Sequence, residues 1–269
     1  MKTLTTIIAA RNAAIWLPQC VTSVVSQRLP ADWRAEIRLG VDACAETLIA
    51  AKRLTYPNLH VYYFPERVGP YIIFNSLASS APSDVFVRFD ADDVMLGDYL
   101  LSQLNGLGSA SIPAILQTWS IYVDRNLRPV SARLANGKAT GRDGRRDAAS
   151  DGQFMITSSL WRRLGGFQPW LCHGDTEFLR RAQWAGASRR IIPSHLYLRR
   201  MHSDSLTQSG ETGYASRLRN YYAQQIREAH ERYARGAAPE RLRPTVAKFH
   251  DASMMPLHRL ARPYSEAVR

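Results

Sequence analysis

The chain has 269 residues and a formal net charge of +12, from 35 Lys and Arg against 23 Asp and Glu. Its 45% hydrophobic and 22% charged content is that of a globular protein, which excludes a disordered chain, a collagen and a disulfide scaffold. No apolar run reaches the ~18 residues a membrane span needs, and Cys20, Cys44 and Cys172 share no metal-binding spacing, so reduced thiols in a cytoplasmic protein are expected.

The length fits one large domain or a domain with an extension. Met1–Ala10 has a brief apolar stretch cut off by Arg11 and Asn12, and reads as a first strand rather than a signal peptide. Ile15, Trp16, Cys20, Val21, Val24 and Val25 are spaced for one face of a helix ending before Pro30. Glu36–Val41, Leu59–Phe64 and Asp84–Phe89 predict strands, separated by helices over Glu46–Leu54 and Tyr71–Ser79. This alternation predicts an α/β fold, with a mostly parallel central sheet flanked by helices and ligands at the carboxyl ends of its strands.

Beyond the fourth strand, a helix is expected near Gly97–Leu107 and a strand over Ala114–Val123. Ser131–Ser150, rich in Gly, Ala and Arg, predicts a mobile loop. Gln153–Thr157 predicts a strand, Ser159–Leu164 a helical turn and Asp175–Ala185 a helix. Arg189–Pro193 and His195–Arg199 predict two short strands. From Tyr214 the pattern is helical and basic, with 11 Lys and Arg against 6 Asp and Glu over residues 209–269.

Asp90-Ala91-Asp92-Asp93 closes the fourth strand. Three carboxylates in four residues repel one another, and burial raises their pKa values unless a cation is near. Mg²⁺ takes one or two carboxylates plus phosphate oxygens, and period-two geometry points Asp90 and Asp92 the same way. A bare Asp-x-Asp is more often a solvated turn; its place after a central strand reverses that preference. Asp175 starts a helix, where a capping carboxylate is the plain reading and a rigidly held general base the functional one. His202 suits a metal ligand or phosphate contact, and Arg199 and Arg200 just before it support an anionic site; a structural histidine is the ordinary alternative. Asn75 lies on the helix after Gly69-Pro70, where a turn and helix start suffice as explanation.

Together these motifs resemble family 2 glycosyltransferases, inverting nucleotide-sugar enzymes of the GT-A fold. Thr6-Ile7-Ile8-Ala9-Ala10-Arg11-Asn12 with Ser23 and Gln27 is similar to the family's opening strand and helix. Gly69 through Asn75, leading to Val87-Arg88-Phe89-Asp90-Ala91-Asp92-Asp93, resembles its helix-strand-DxD block. Gly165-Gly166-Phe167 with Asp175-Thr176-Glu177 resembles its acceptor-side turn and acidic motif, and Arg200-Met201-His202 with Ser205-Leu206-Thr207 its closing motif. Three departures stand out. The second strand ends Val41-Asp42-Ala43-Cys44, keeping only Asp42 of the usual Asp-Asp-Gly-Ser. Ala10 and Arg11 replace the usual Pro and Tyr, and Gly174 replaces a Glu before Asp175.

The resemblance implies a glycosyltransferase domain over residues 1–208, with a nucleotide-binding half (1–93), an acceptor half (94–208) and a basic helical extension (209–269). It implies donor contacts from Ala9, Arg11, Asp42, Asn75, Arg88 and Asp90, and Mn²⁺ or Mg²⁺ on Asp92 with His202 as a further ligand. Asp175 would be the catalytic base. The donor would be a nucleotide sugar, most commonly of UDP, and the acceptor a glycan or lipid-linked sugar in surface polysaccharide or glycan assembly. No nucleic-acid partner is expected; peripheral contact with the inner membrane face through the basic segment is a candidate. A metal-dependent nucleotidyl or phosphoryl transferase and a basic nucleic-acid-binding module are the competing readings.

Overall fold

The computed structural model describes residues 1–132, 139–150 and 152–255. In chain order the elements are β1 (Lys2–Ala10), α1 (Leu17–Val25), β2 (Trp33–Asp42), α2 (Ala45–Lys52), β3 (Leu59–Phe64) and α3 (Pro70–Ser79). There follow β4 (Val85–Asp90), β5 (Val94–Met95), α4 (Tyr99–Leu107), β6 (Ala114–Val123), β7 (Arg145–Arg146) and β8 (Phe154–Thr157). The chain continues through α5 (Ser158–Leu164), α6 (Gly174–Trp184), β9 (Ser188–Arg200), α7 (Arg217–Ala234) and β10 (His250–Asp251), followed by a 3₁₀ turn over Ala252–Met254.

The sheet runs β10-β3-β2-β1-β4-β8-β6-β9-β5, with β7 on β6. Strands β3, β2, β1 and β4 are mutually parallel. Strand β8 then runs antiparallel to both β4 and β6, and β6 is again parallel to β9. The parallel unit carries the first half of the chain, and the sheet becomes mixed where the second half folds back.

Buried on both faces, β1 reads as a nearly unbroken apolar run, and period-two alternation divides its side chains. Leu4 and Ile8 pack with Leu17, Val21, Leu48 and Leu100 on the layer of α1, α2 and α4. Ile7 joins Phe74, Leu160 and Phe178 on the layer of α3, α5 and α6. Helix α1 buries Leu17, Cys20, Val21 and Val24 at helical spacing. Ile15, expected on that face, precedes the helix and is 67% exposed.

The expected loop over 131–150 is ordered over its described parts, residues 131–132 and 139–150: Ala132 N donates to Thr140 Oγ1 at 2.9 Å, β7 pairs with β6, and Gln117 Nε2 donates to the Ser150 carbonyl at 2.6 Å. Residues 133–138 of that expected loop lie outside the described residues. The two short strands expected over 189–199 are one strand, β9. Its register on β6 jumps from Thr118↔Ile192 to Trp119↔His195, so Pro193 and Ser194 bulge out and conceal the continuity.

The C-terminal segment crosses the molecule. Helix α7 lies on α6, with Tyr222 stacked on Trp170 at 4.4 Å and Trp184 Nε1 donating to His230 Nδ1 at 3.0 Å. Leu242 N then donates to the Leu164 carbonyl and Ala247 N to Ser76 Oγ, each at 2.9 Å. Phe249 packs on Tyr62 and Phe64, and β10 closes the β3 edge.

Candidate active site

A cavity of about 380 Å³ opens at the carboxyl ends of β1, β2 and β4, the place where open α/β sheets bind ligands. Ala9 and Arg11 border it as β1 ends, Asp42 as β2 ends, and Asp90, Asp92 and Asp93 as β4 ends. Its far wall is the segment after β9, including His202, Ser205 and Thr212. Six residues singled out in the sequence therefore share one cavity: Ala9, Arg11, Asp42, Asp90, Asp92 and His202.

Asp42 is buried, and its carboxylate accepts from Val68 N at 2.8 Å and Gly69 N at 3.1 Å. It thereby fixes the loop leading into α3, a wall of the cavity. Arg11 donates through Nη1 to the carbonyls of Asp42 (2.8 Å) and Ala43 (3.1 Å). Both contacts tie the ends of β1 and β2 together.

The three aspartates have divided roles. Asp90 pairs with Arg88 at 2.9 Å and accepts from Gln153 Nε2 at 2.8 Å. Burial pushes its carboxyl up; Arg88 opposes this, while Asp92 and Asp175 add to it. Asp93 turns inward, accepting from Arg200 N at 2.8 Å and from Gln153 Nε2. Burial, then Asp92 and Asp90, push its acid well above the carboxylate range. Asp92 instead faces His202, with Oδ2 and Nε2 2.8 Å apart. Arg200 braces this turn from behind, donating to the Asp92 carbonyl at 2.7 Å and to Gln19 Oε1 at 2.6 Å, with its guanidinium 4.5 Å from the Trp16 ring.

Asp92 and His202 fit a divalent cation. His202 Nδ1 is buried with no hydrogen-bond partner among the described residues, so the imidazole is not committed to a structural network. A carboxylate with an imidazole suits Mn²⁺, which accepts both ligand types. Among the described residues no group of three or more His, Cys, Asp or Glu could hold a metal by itself. A cation here would need further oxygens, such as those of a phosphate.

Asp175 sits in the first turn of α6, half-buried, and accepts from its neighbour Thr176 N through Oδ1 at 2.8 Å. It is not among the residues lining the cavity, but its charge reaches Asp90, Arg88 and Tyr71. Burial, then that charge, push the Tyr71 phenol well above its ordinary range. The departure at Gly174 has a steric cause: a Cβ there would meet the Tyr71 ring at 2.8 Å.

Two expected donor contacts do not line the cavity. Asn75 is fully buried, donating through Nδ2 to the Phe167 carbonyl and accepting through Oδ1 from Phe167 N, both at 2.9 Å. It clasps the Gly165-Gly166-Phe167 turn from α3, and its amide has no free edge for a ligand. A Cβ on Gly166 would meet Asn75 Oδ1 at 2.6 Å. Arg88 is buried behind Asp90, also donating to the Gly152 carbonyl. It acts on the site through Asp90. The sequence reading missed Gln153, which bridges Asp90 and Asp93, and a site role for Trp16, which borders the cavity; Arg199, named there beside His202, borders it too.

The sequence profile of glycosyl transferase family 2 matches residues 5–163, and the chain belongs to that family. Solved structures share the fold. TarS residues 1–349 of S. aureus, crystallised with UDP-GlcNAc, is 17% identical, with 76% of this chain and 60% of that one covered and a TM-score of 0.58. The mannosyltransferase PcManGT of Pyrobaculum calidifontis, in complex with GDP-Man and Mn²⁺, is 19% identical over 90% of this chain and 67% of that one, with a TM-score of 0.61. This chain thus spans about 60% of the TarS fragment. No curated protein matches the chain in sequence. Among the described residues, no helix is long and apolar enough to cross a membrane.

Proposed function

We propose that this glycosyltransferase moves a sugar from a nucleoside-diphosphate sugar, with UDP the first candidate, to an acceptor hydroxyl with inversion, in surface polysaccharide or glycan assembly. One observation carries the reading. The Asp92–His202 pair borders the same cavity as Asp42 and Arg11, and Asp90, on that cavity, feels the charge of Asp175.

Ala9, Arg11 and Asp42 bound the nucleotide end, and the Asp90 carboxylate, aimed by Arg88 and Gln153, is set to accept from ribose hydroxyls. Asp92 and His202 would hold Mn²⁺ or Mg²⁺, which when bound neutralises charge gathering on the departing diphosphate. Asp175 takes the proton from the acceptor hydroxyl as that oxygen attacks the anomeric carbon; the bond to the diphosphate oxygen breaks in the same displacement. A positioned base of this kind contributes ~10²–10⁴-fold. Residues 1–208 form the catalytic unit, and residues 209–255 brace it. The basic face of that segment is the surface offered to an anionic membrane.

The test is to supply a panel of nucleoside-diphosphate sugars with Mn²⁺ and follow the anomeric proton of the product by NMR. Inverted product, or inverted free sugar by slow hydrolysis, is expected. Transfer of a phosphoryl or nucleotidyl group would assign the cavity to other chemistry.

A further inference from the structure

One residue before β9 ends, the cavity wall carries a guanidinium that the mechanism above does not use. Arg199 borders the cavity and donates through Nη1 to Tyr122 Oη at 3.1 Å. Arg146, on β7, donates through Nη1 to the same oxygen at 3.0 Å. One phenol oxygen therefore holds two cations within about 6 Å of each other, a like-charge arrangement that needs a counter-charge.

The described residues do not provide one. Neither guanidinium has a carboxylate within 4 Å, and Arg199 has Tyr122 as its single hydrogen-bond partner among them. Arg146 Nε is buried without a partner. The carboxylates whose charge reaches Arg199, those of Asp90 and Asp93, are engaged by Arg88, Gln153 and Arg200. Buried guanidinium donors are costly to leave unmet. The Arg fork is suited to a planar or tetrahedral oxyanion.

The position separates this cluster from the nucleotide end. Tyr122 lies on β6, Arg146 on β7 and Arg199 on β9, whereas Ala9, Arg11 and Asp42 end β1 and β2, on the other side of β4 and β8. The surrounding chain is basic, with seven Lys and Arg against three Asp between positions 123 and 150. A local excess of this kind concentrates anions.

We propose that Arg146, Tyr122 and Arg199 form an oxyanion site for the acceptor, and that the sugar is transferred to a molecule bearing a phosphate or a carboxylate. This rests on the glycosyltransferase reading of the cavity. The guanidiniums bind the acceptor's charge and leave its neutral hydroxyl free to meet the donor.

The test uses the full chain saturated with UDP and Mn²⁺, and reads the melting temperature as inorganic phosphate, glucuronate or glucose is added. One or both anions should raise it at millimolar concentration, and glucose should not; the anion that acts distinguishes a phosphate-bearing from a carboxylate-bearing acceptor. Arg199→Gln and Arg146→Gln should each weaken the anion effect at least tenfold while UDP affinity, read by calorimetry, stays within twofold. Arg199→Lys should retain part of the anion effect, which guards against a folding defect in the glutamine variant. Equal effects of glucose and both anions would overturn the proposal. So would loss of UDP affinity in the Arg199→Gln and Arg146→Gln variants, which would assign the cluster to the donor. Failure of UDP to bind the unmodified chain would count against the glycosyltransferase reading instead, and anion binding to the nucleotide-free chain would still decide the cluster.

Discussion

Arg181 is the largest fully buried side chain among the described residues, 1% exposed in the middle of α6. Its guanidinium donates to both oxygens of Glu177, at 2.6 and 3.0 Å, and to the carbonyls of Leu164 (2.7 Å) and Gly166 (2.8 Å). It thus locks the helix that carries Asp175 onto the turn that Asn75 clasps from the other side. Arg181→Met leaves Glu177 as an unpaired buried charge, worth ~3–5 kcal/mol. Two carbonyls also lose their donor, at about 1 kcal/mol each. At roughly 2–4 °C per kcal/mol for a chain of this size, melting should fall by about 10–28 °C. The double variant Glu177→Leu with Arg181→Met removes the stranded charge and should recover more than half of that drop in a calorimetric scan. A shift under about 3 °C for the single variant, or no recovery in the double, would refute the claim that this buried pair anchors the helix.

Asp175→Asn should lower transfer by ~10²–10⁴-fold and leave donor affinity, read by calorimetry, within a few-fold. Asn75→Ala should destabilise by at least ~2 kcal/mol, since both Phe167 backbone groups lose their partner, with the loss read by urea titration. Gly174→Glu, which restores the family's usual residue, should reduce stability and activity together because of the Tyr71 ring, and Gly174→Glu with Tyr71→Ala should relieve much of the defect. Charge reversal of Arg217 and Arg227 should weaken flotation with anionic liposomes if the C-terminal segment contacts membranes, and leave it unchanged if that helix only braces α6.

The parallel half of the fold was legible because β1 and β4, and the second half of β2, are buried on both faces, so their apolar runs and the intervening helices are unambiguous. Leu59–Phe64 and Ala114–Val123 coincide with β3 and β6 to the residue. Strand β9 was split because Pro193 breaks the pattern at a bulge, a feature set by pairing with β6 rather than by local sequence. The site was legible where carboxylates cluster against expectation, as at Asp90–Asp93. It was illegible where a polar residue serves another part of the chain. Asn75 is an ordinary helix residue until Phe167, 92 positions later, folds against it, and Gln153 gains meaning only when β8 lies beside β4. Arg199 was marked by its place beside His202, but Arg146 is one among many arginines in a basic chain, and only the phenol it shares with Arg199 singles it out.

The most direct measurement is calorimetric titration of nucleoside diphosphates into the unmodified chain, Asp92→Asn and His202→Ala, each with Mn²⁺ and with EDTA. At least one nucleotide should bind the unmodified chain in the presence of Mn²⁺. Its affinity should fall at least tenfold in EDTA and in both variants, while Asp175→Asn binds it normally. Nucleotide affinity that is indifferent to EDTA and to the loss of Asp92 would contradict a cation at that pair holding the diphosphate.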